Sequence, residues 1–207
     1  MRMVRSEWTP AGTLLVFAVV AVGCSSSIDR PAFNPEKTSA MALEQCDANG
    51  DGSIDKSEAA AAPGLRRAFV VWDLNADGQL SGDELAGQIS KYRNSSASIV
   101  SAGYTVTYNK KPLEDATVTL EPEPFMGSGF ESVSGVTDAT GFVSLNRPNV
   151  GEGDYPGIYL GVYRVRISKE VNGQEMLPAK YNTESELGAN PGAGSRAMPV
   201  STRYDLE

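Results

Sequence analysis

The chain contains no histidine among its 207 residues. That absence removes Ser-His-Asp and Cys-His activation of a nucleophile. It also removes zinc sites built on imidazole. Cysteine occurs only twice, at Cys24 and Cys46, so a four-thiolate metal site is excluded as well. Positive charge is scarce too: 18 Lys and Arg face 26 Asp and Glu, a formal net charge of −8. Phosphate-backbone binding needs clustered Lys and Arg, so nucleic acid is not an expected partner. Apolar residues make up 41% of the chain, enough for one or two small domains and too few for a polytopic membrane protein. What remains available is carboxylate chemistry, either hard-cation binding or acid/base work by Asp and Glu.

The only long uncharged apolar run near the start is Ala11 to Val22, preceded by Arg2 and Arg5. Twelve residues fall short of the roughly 20 that a membrane-spanning helix needs. A basic start, a short apolar stretch and small residues at its end read as a secretory signal. The run closes on Ala21-Val22-Gly23-Cys24, which resembles the lipobox of bacterial lipoproteins. Lipoboxes usually carry Leu where Ala21 stands. The resemblance implies lipidation of Cys24, a membrane contact through the lipid anchor, and an extracytoplasmic location facing the periplasm or the cell surface. An ordinary signal peptide cut near Cys24 is the alternative. Residues 1–24 are thus the signal, and 25–34, beginning Ser25-Ser26-Ser27, are a polar tether. Cys46 is then left without a partner, and a small buried residue of a helix is the expectation for it.

Two twelve-residue segments follow with the same pattern. Residues 47–58 place Asp47, Asn49, Asp51, Ser53, Asp55 and Glu58 at alternate positions and at the close. Residues 73–84 place Asp73, Asn75, Asp77, Gln79, Ser81 and Glu84 likewise. Calcium takes six to eight oxygens at about 2.3–2.6 Å, so a short loop must aim many oxygens at one point. Ser53 and Gln79 contribute through backbone carbonyls, and Glu58 and Glu84 close each site with two oxygens. Gly52 and Gly78 permit the sharp turn, and Ile54 and Leu80 face away from the ion to meet each other. Both segments resemble the EF-hand calcium loop at every diagnostic position. The resemblance implies two Ca²⁺ sites within an EF-hand pair over 35–92.

The flanks agree with that reading. Asp55…Glu58 and Ser81…Glu84 have capping-box spacing, so a helix should start inside each loop. Pro35 to Gln45 is an expected helix whose apolar side is Ala40, Met41 and Leu43. Leu65, Phe69 and Trp72 recur at helical spacing before the second loop, and Gly82 to Tyr92 is the last helix. Pro63-Gly64 sits between the loops, so the first exit helix is little more than Ser57 to Ala62. A mobile pair opening a Met-rich groove is not expected from so short a helix. Four carboxylates in the first loop against three in the second predict the first site to be the tighter. Dockerins also carry tandem calcium loops and are the alternative, but they usually close each loop with Asp.

After a polar linker over 93–98, the composition changes. Residues 99–207 show short strands between turns, such as Tyr104 to Tyr108, Ala116 to Leu120, Tyr159 to Ser168 and Val200 to Leu206. Phe130 to Thr137 and Gly141 to Leu145 read as a pair joined by the turn at Asp138. Asn172-Gly173 reads as a hairpin turn, and 188–194 as a mobile loop. The expected fold class is α+β in two domains: a small helical EF-hand pair plus an antiparallel β-sandwich of transthyretin or immunoglobulin type. Tyr108 to Val118, Val136-Thr-Asp-Ala-Thr-Gly-Phe142 and Pro156-Gly-Ile-Tyr159 resemble the strand and turn motifs of carboxypeptidase regulatory-like, transthyretin-like domains. Leu177-Pro-Ala-Lys-Tyr-Asn182 resembles small lipoproteins of Planctomycetes-type bacteria. Such modules are mostly scaffolds or binding units. Those that hydrolyse hydroxyisourate use histidine, which this chain lacks.

The expectation is a calcium-binding, non-enzymatic lipoprotein with a structural or adhesive role, its partner an envelope protein or carbohydrate. The alternative is an accessory domain or carboxylate enzyme acting on envelope saccharides. Glu121, Glu123 and Glu131 would be its candidates, though they read first as solvated acids at strand ends.

Overall fold

The computed structural model describes residues 31, 34–95, 98–152, 154–192 and 200–207. The signal segment, Cys24 and most of the tether lie outside them. Among the described residues no helix is long and apolar enough to cross a membrane.

Helix α1 (Pro35–Cys46) starts where the Asn34 side chain accepts the Lys37 amide at 2.8 Å. Proline at the first position costs nothing there, because that N–H has no helical partner. Its buried face is Pro35, Thr38, Ser39, Ala42 and Cys46; the expected Met41 and Leu43 pack against the core partly buried, and Ala40 is exposed. Small side chains bring α1 close to the last helix, and Ser39 Oγ donates to the Gly82 carbonyl at 2.8 Å. The first loop holds a short strand β1 (Ser53–Asp55) and ends in a single 3-10 turn, Glu58–Ala61. Helix α2 (Pro63–Trp72) follows at once and buries Leu65, Ala68, Phe69 and Trp72. Strand β2 (Gln79–Ser81) lies in the second loop, and α3 (Gly82–Asn94) leaves it. α3 thus runs two residues into the stretch expected to be linker.

Among the described residues, twelve strands make the second half. They are β3 (Ile99–Val100), β4 (Ala102–Tyr108), β5 (Lys111–Pro112), β6 (Thr117–Pro122), β7 (Val133–Val136) and β8 (Phe142–Leu145). Then come β9 (Ile158–Tyr159), β10 (Tyr163–Ser168), β11 (Glu170–Val171), β12 (Gln174–Glu175), β13 (Leu187–Ala189) and β14 (Val200–Leu206). One sheet has the order β13-β10-β6-β7, and the other places β14 on one side of β4 with β5 and β8 on the opposite side. Along β10, Tyr163, Val165 and Ile167 are buried while Arg164 and Arg166 are not, as the two-residue period requires. β11 and β12 form the hairpin, with positive φ at Asn172 and Gly173.

Several pairings differ from expectation. β7 pairs with β6 and β8 with β4, so the Asp138 turn carries the chain from one sheet to the other rather than closing a hairpin. Tyr159 to Ser168 is two strands, because β9 pairs with β3 and β10 with β6. Gly188 belongs to β13 and is buried, so the described part of 188–194 begins as sheet. All pairs are antiparallel except β14 with β4, which run parallel.

The helical unit and the sandwich share one hydrophobic cluster, from Ala42 to Leu206. The two meet where the start of α2 lies against β10 and β13. A Cβ added at Gly188 would sit 1.9 Å from the Pro63 carbonyl oxygen, and one at Gly64 would sit 2.6 Å from the Tyr163 amide nitrogen. Only glycine at both positions lets the backbones come this close. Arg164 donates to the Ala61 carbonyl at 2.9 Å, and Tyr92 on α3 donates to Asn190.

Candidate metal centre

The two loops repeat one hydrogen-bonded frame. In the first, Asp47 Oδ2 accepts the Gly52 amide at 2.9 Å; in the second, Asp73 Oδ2 accepts the Gly78 amide at 3.0 Å. Gly52 and Gly78 have φ of 87° and 84°, the left-handed conformation that a turn at this point needs. Asn49 Oδ1 accepts the Asp51 amide and Asn75 Oδ1 accepts the Asp77 amide, at 2.8 and 2.9 Å. Asp51 and Asp77 in turn accept the amides of Ser53 and Gln79, both at 2.9 Å. Each side chain is therefore oriented by an amide two to five residues further on.

The closing glutamates are held just as similarly. Glu58 accepts the amides of Ala48, Asn49 and Asp55 at 3.0, 3.1 and 2.9 Å. Glu84 accepts those of Leu74, Asn75 and Ser81 at 2.9, 3.4 and 3.0 Å. In return Asp55 caps the Glu58 amide at 2.9 Å and Ser81 Oγ caps that of Glu84 at 3.3 Å. These are the reciprocal bonds of capping boxes, so the last ligand of each loop also starts the next helical turn. Ile54 pairs with Leu80 across the β1–β2 bridge, and both are fully buried. Ser53 Oγ donates to Gln79 Oε1 across the same bridge at 2.8 Å.

Charge favours a cation here. Hydrogen bonds from Ser53 hold the Asp51 carboxyl below the usual carboxylate range. The Glu58 amide and the Ser57 side chain do the same for Asp55. Partial burial pushes Glu84 upward, but the bonds from Ser81, Leu74 and Asn75 together outweigh it and leave its net shift downward. Among the described residues, no Lys or Arg forms an ion pair with a loop carboxylate. Nor do three or more Asp, Glu or Cys side chains there gather as a ready metal cluster. The loops have the order, turn and donor chemistry of a calcium site, with a third of the donor residues in the pattern acting through amide or backbone oxygens. The donor set fits a hard divalent cation.

The remaining candidates separate clearly. Glu121 pairs with Arg166 at 2.6 Å, and Glu131 is exposed. Glu123 is not a solvated acid: it is 1% exposed, and its Oε1 accepts the Gly64 amide at 2.7 Å. Burial pushes its carboxyl up, against the Gly64 bond and nearby Arg164. Sequence reasoning missed this role. Pro122 and Pro124 flank it and restrict the backbone, but they carry no sign of burial. Cys46 is buried as expected, its thiol pushed up to about 11 by burial and by Glu123 and Glu58, which makes it a poor nucleophile.

A family model described as EF hand matches residues 40–58, which span the end of α1 and the whole first loop. The second loop lies beyond that span. No curated protein matches the chain. Among solved structures, the chain is similar to the major pilin subunit of Bacillus cereus at 15% identity and a TM-score of 0.33, over 52% of this chain and 30% of that one. It is also similar to a 9R-lipoxygenase from Cyanothece at 12% identity and a TM-score of 0.24, over 73% and 23%. The chain therefore spans less than a third of the length of either. Likeness this slight carries nothing about function.

Proposed function

We propose that this protein binds two calcium ions that staple its helical half, and that it serves as a non-catalytic structural or adhesive module outside the cytoplasm. The observation that supports this reading is the identical hydrogen-bonded frame of the two loops, joined at Ile54 and Leu80. Bound calcium would supply the positive charge that the seven carboxylates at ligand positions lack. The chain's own residues then orient the donors and hold the loops together. A sensor-like opening is disfavoured, because α2 is fixed to the sandwich at Gly64 and Gly188.

The first site is the tighter in this reading, with Asp47, Asp51, Asp55 and Glu58 against Asp73, Asp77 and Glu84. Lipidation of Cys24 anchors the chain at the cell envelope. The sandwich, of carboxypeptidase regulatory-like type, meets an envelope protein or carbohydrate. Two of the three acids considered for saccharide chemistry already have structural partners, Arg166 for Glu121 and Gly64 for Glu123.

Calorimetric calcium titration of the wild type, Glu58→Gln and Glu84→Gln tests the assignment. Two binding events are expected, with each variant losing one and Glu58→Gln losing the tighter. Absence of binding in the wild type would overturn the calcium reading, and equal losses would overturn the ranking.

A further inference from the structure

Helix α2 has an outer face that the fold leaves uncovered. Val70 is 81% exposed, Leu74 is 63% exposed and Val71 is 46% exposed. Val70 and Val71 lie in the last turn of the helix, and Leu74 is the second residue after it, at the second position of the second loop. The other exposed large apolar side chains are scattered through the sandwich. One turn earlier on the same face stand Arg66 and Arg67, both exposed. Among the described residues neither has a carboxylate partner, although acids outnumber bases in the chain; Arg66 donates only to the Glu186 carbonyl. No acid is exposed between Ala59 and Trp72. The opposite face of α2 is held on β10 and β13, so the surface is rigid.

We propose that this face docks a partner protein through a segment with an apolar stripe flanked by acids. The apolar centre offers burial, and the unpaired arginines offer charge complementarity that selects an acidic partner. A planar anionic membrane fits less well. It would press on the tip at Leu74, where the rest of the second loop presents Asp77 and Asp83. A narrow segment lying along the helix meets Arg66, Arg67 and the two valines, with the exposed Glu186 at its edge beside Arg66. Leu74 belongs to the second loop, where its amide donates to Glu84, so calcium is held constant in every comparison.

The test uses the full chain, calcium-loaded, with three probes: a synthetic amphipathic peptide of leucines and glutamates, its lysine counterpart, and vesicles containing phosphatidylglycerol. Amide shifts mapped by nuclear magnetic resonance should concentrate at 66–74 with the glutamate peptide. Arg67→Glu and Val70→Ser should each weaken that binding about tenfold, with melting unchanged because both positions are exposed. Equal binding of the lysine peptide, or no peptide binding, would overturn the proposal. Vesicle binding through 66–74 without peptide binding would assign the face to a membrane and overturn it equally.

Discussion

Glu123 is the residue on which the junction of the two halves turns. A buried carboxylate with one backbone donor and no ion pair among the described residues is poorly compensated for the loss of water. Its folded-state pKa is raised by burial, and the sign follows from linkage. Below its unfolded value, near 4.3, the group is protonated in both states and costs nothing. As pH rises through the raised folded value, the unfolded chain loses the proton more readily, so stability falls. Glu123→Gln keeps an oxygen for the Gly64 amide and cannot ionise. It should therefore be more stable than the wild type at pH 7, with the gap closing as pH drops below about 4.3. Glu123→Ala leaves that amide unpaired and should cost about 1–3 kcal/mol. Urea unfolding across pH measures all three. A glutamine variant less stable at every pH would mean that Arg164 dominates instead. Nothing in Pro122-Glu123-Pro124 foretells this burial, because the partner of Glu123 stands 59 residues earlier.

At the scale of elements, the close approach of α2 to β13 depends on missing side chains. Gly188→Ala would drive a methyl group into the Pro63 carbonyl, and backbone at both sides must then shift. Such overpacking costs about 1–3 kcal/mol. Gly87→Ala is the internal control: it lies within α3, with nothing within 4 Å of an added Cβ. It should stabilise by roughly 0.5–1 kcal/mol through helix propensity. Denaturant midpoints of the two variants should move in opposite directions. Equal or like-signed shifts would show that the backbones are not in contact as described. The sequence reading could see Pro63-Gly64 and the glycines after Leu187 only as punctuation, because a tertiary contact leaves no local trace. The two twelve-residue loops were legible for the opposite reason. Coordination chemistry dictates residue types at fixed spacing within twelve positions, and the reciprocal bonds of Glu58 and Glu84 follow from that spacing. Alternation along β10 showed which face is buried. It could not show that β7 and β8 join different sheets, since partner choice is a long-range matter.

At the scale of the whole molecule, the decisive fact is that one core runs through both halves. Trp72 and Tyr92 pack at 6.0 Å in the helical half, and Tyr104 stacks on Tyr204 at 5.9 Å in the sandwich. Tyr92 reaches Asn190 beyond β13, while Tyr204 donates to the Gly188 carbonyl at 3.0 Å beside the start of α2. A change in the loops is thus transmitted to the sheets by direct packing. Calcium bound at a hundred times its dissociation constant adds about 2.7 kcal/mol per site. For a chain of this size that corresponds to roughly 5–10 °C in melting temperature. If the core is cooperative, removing calcium with a chelator should lower the melting of helices and sandwich together. Trp72 fluorescence, followed in a chain carrying Trp8→Phe, reports the first, and the near-ultraviolet dichroism of the sandwich tyrosines reports the second. Coincident midpoints that fall by the same amount are expected. A sandwich signal that keeps its midpoint while the tryptophan signal falls would mean that the ions stabilise the helical half alone, and that the shared core is a contact between two independently folding units.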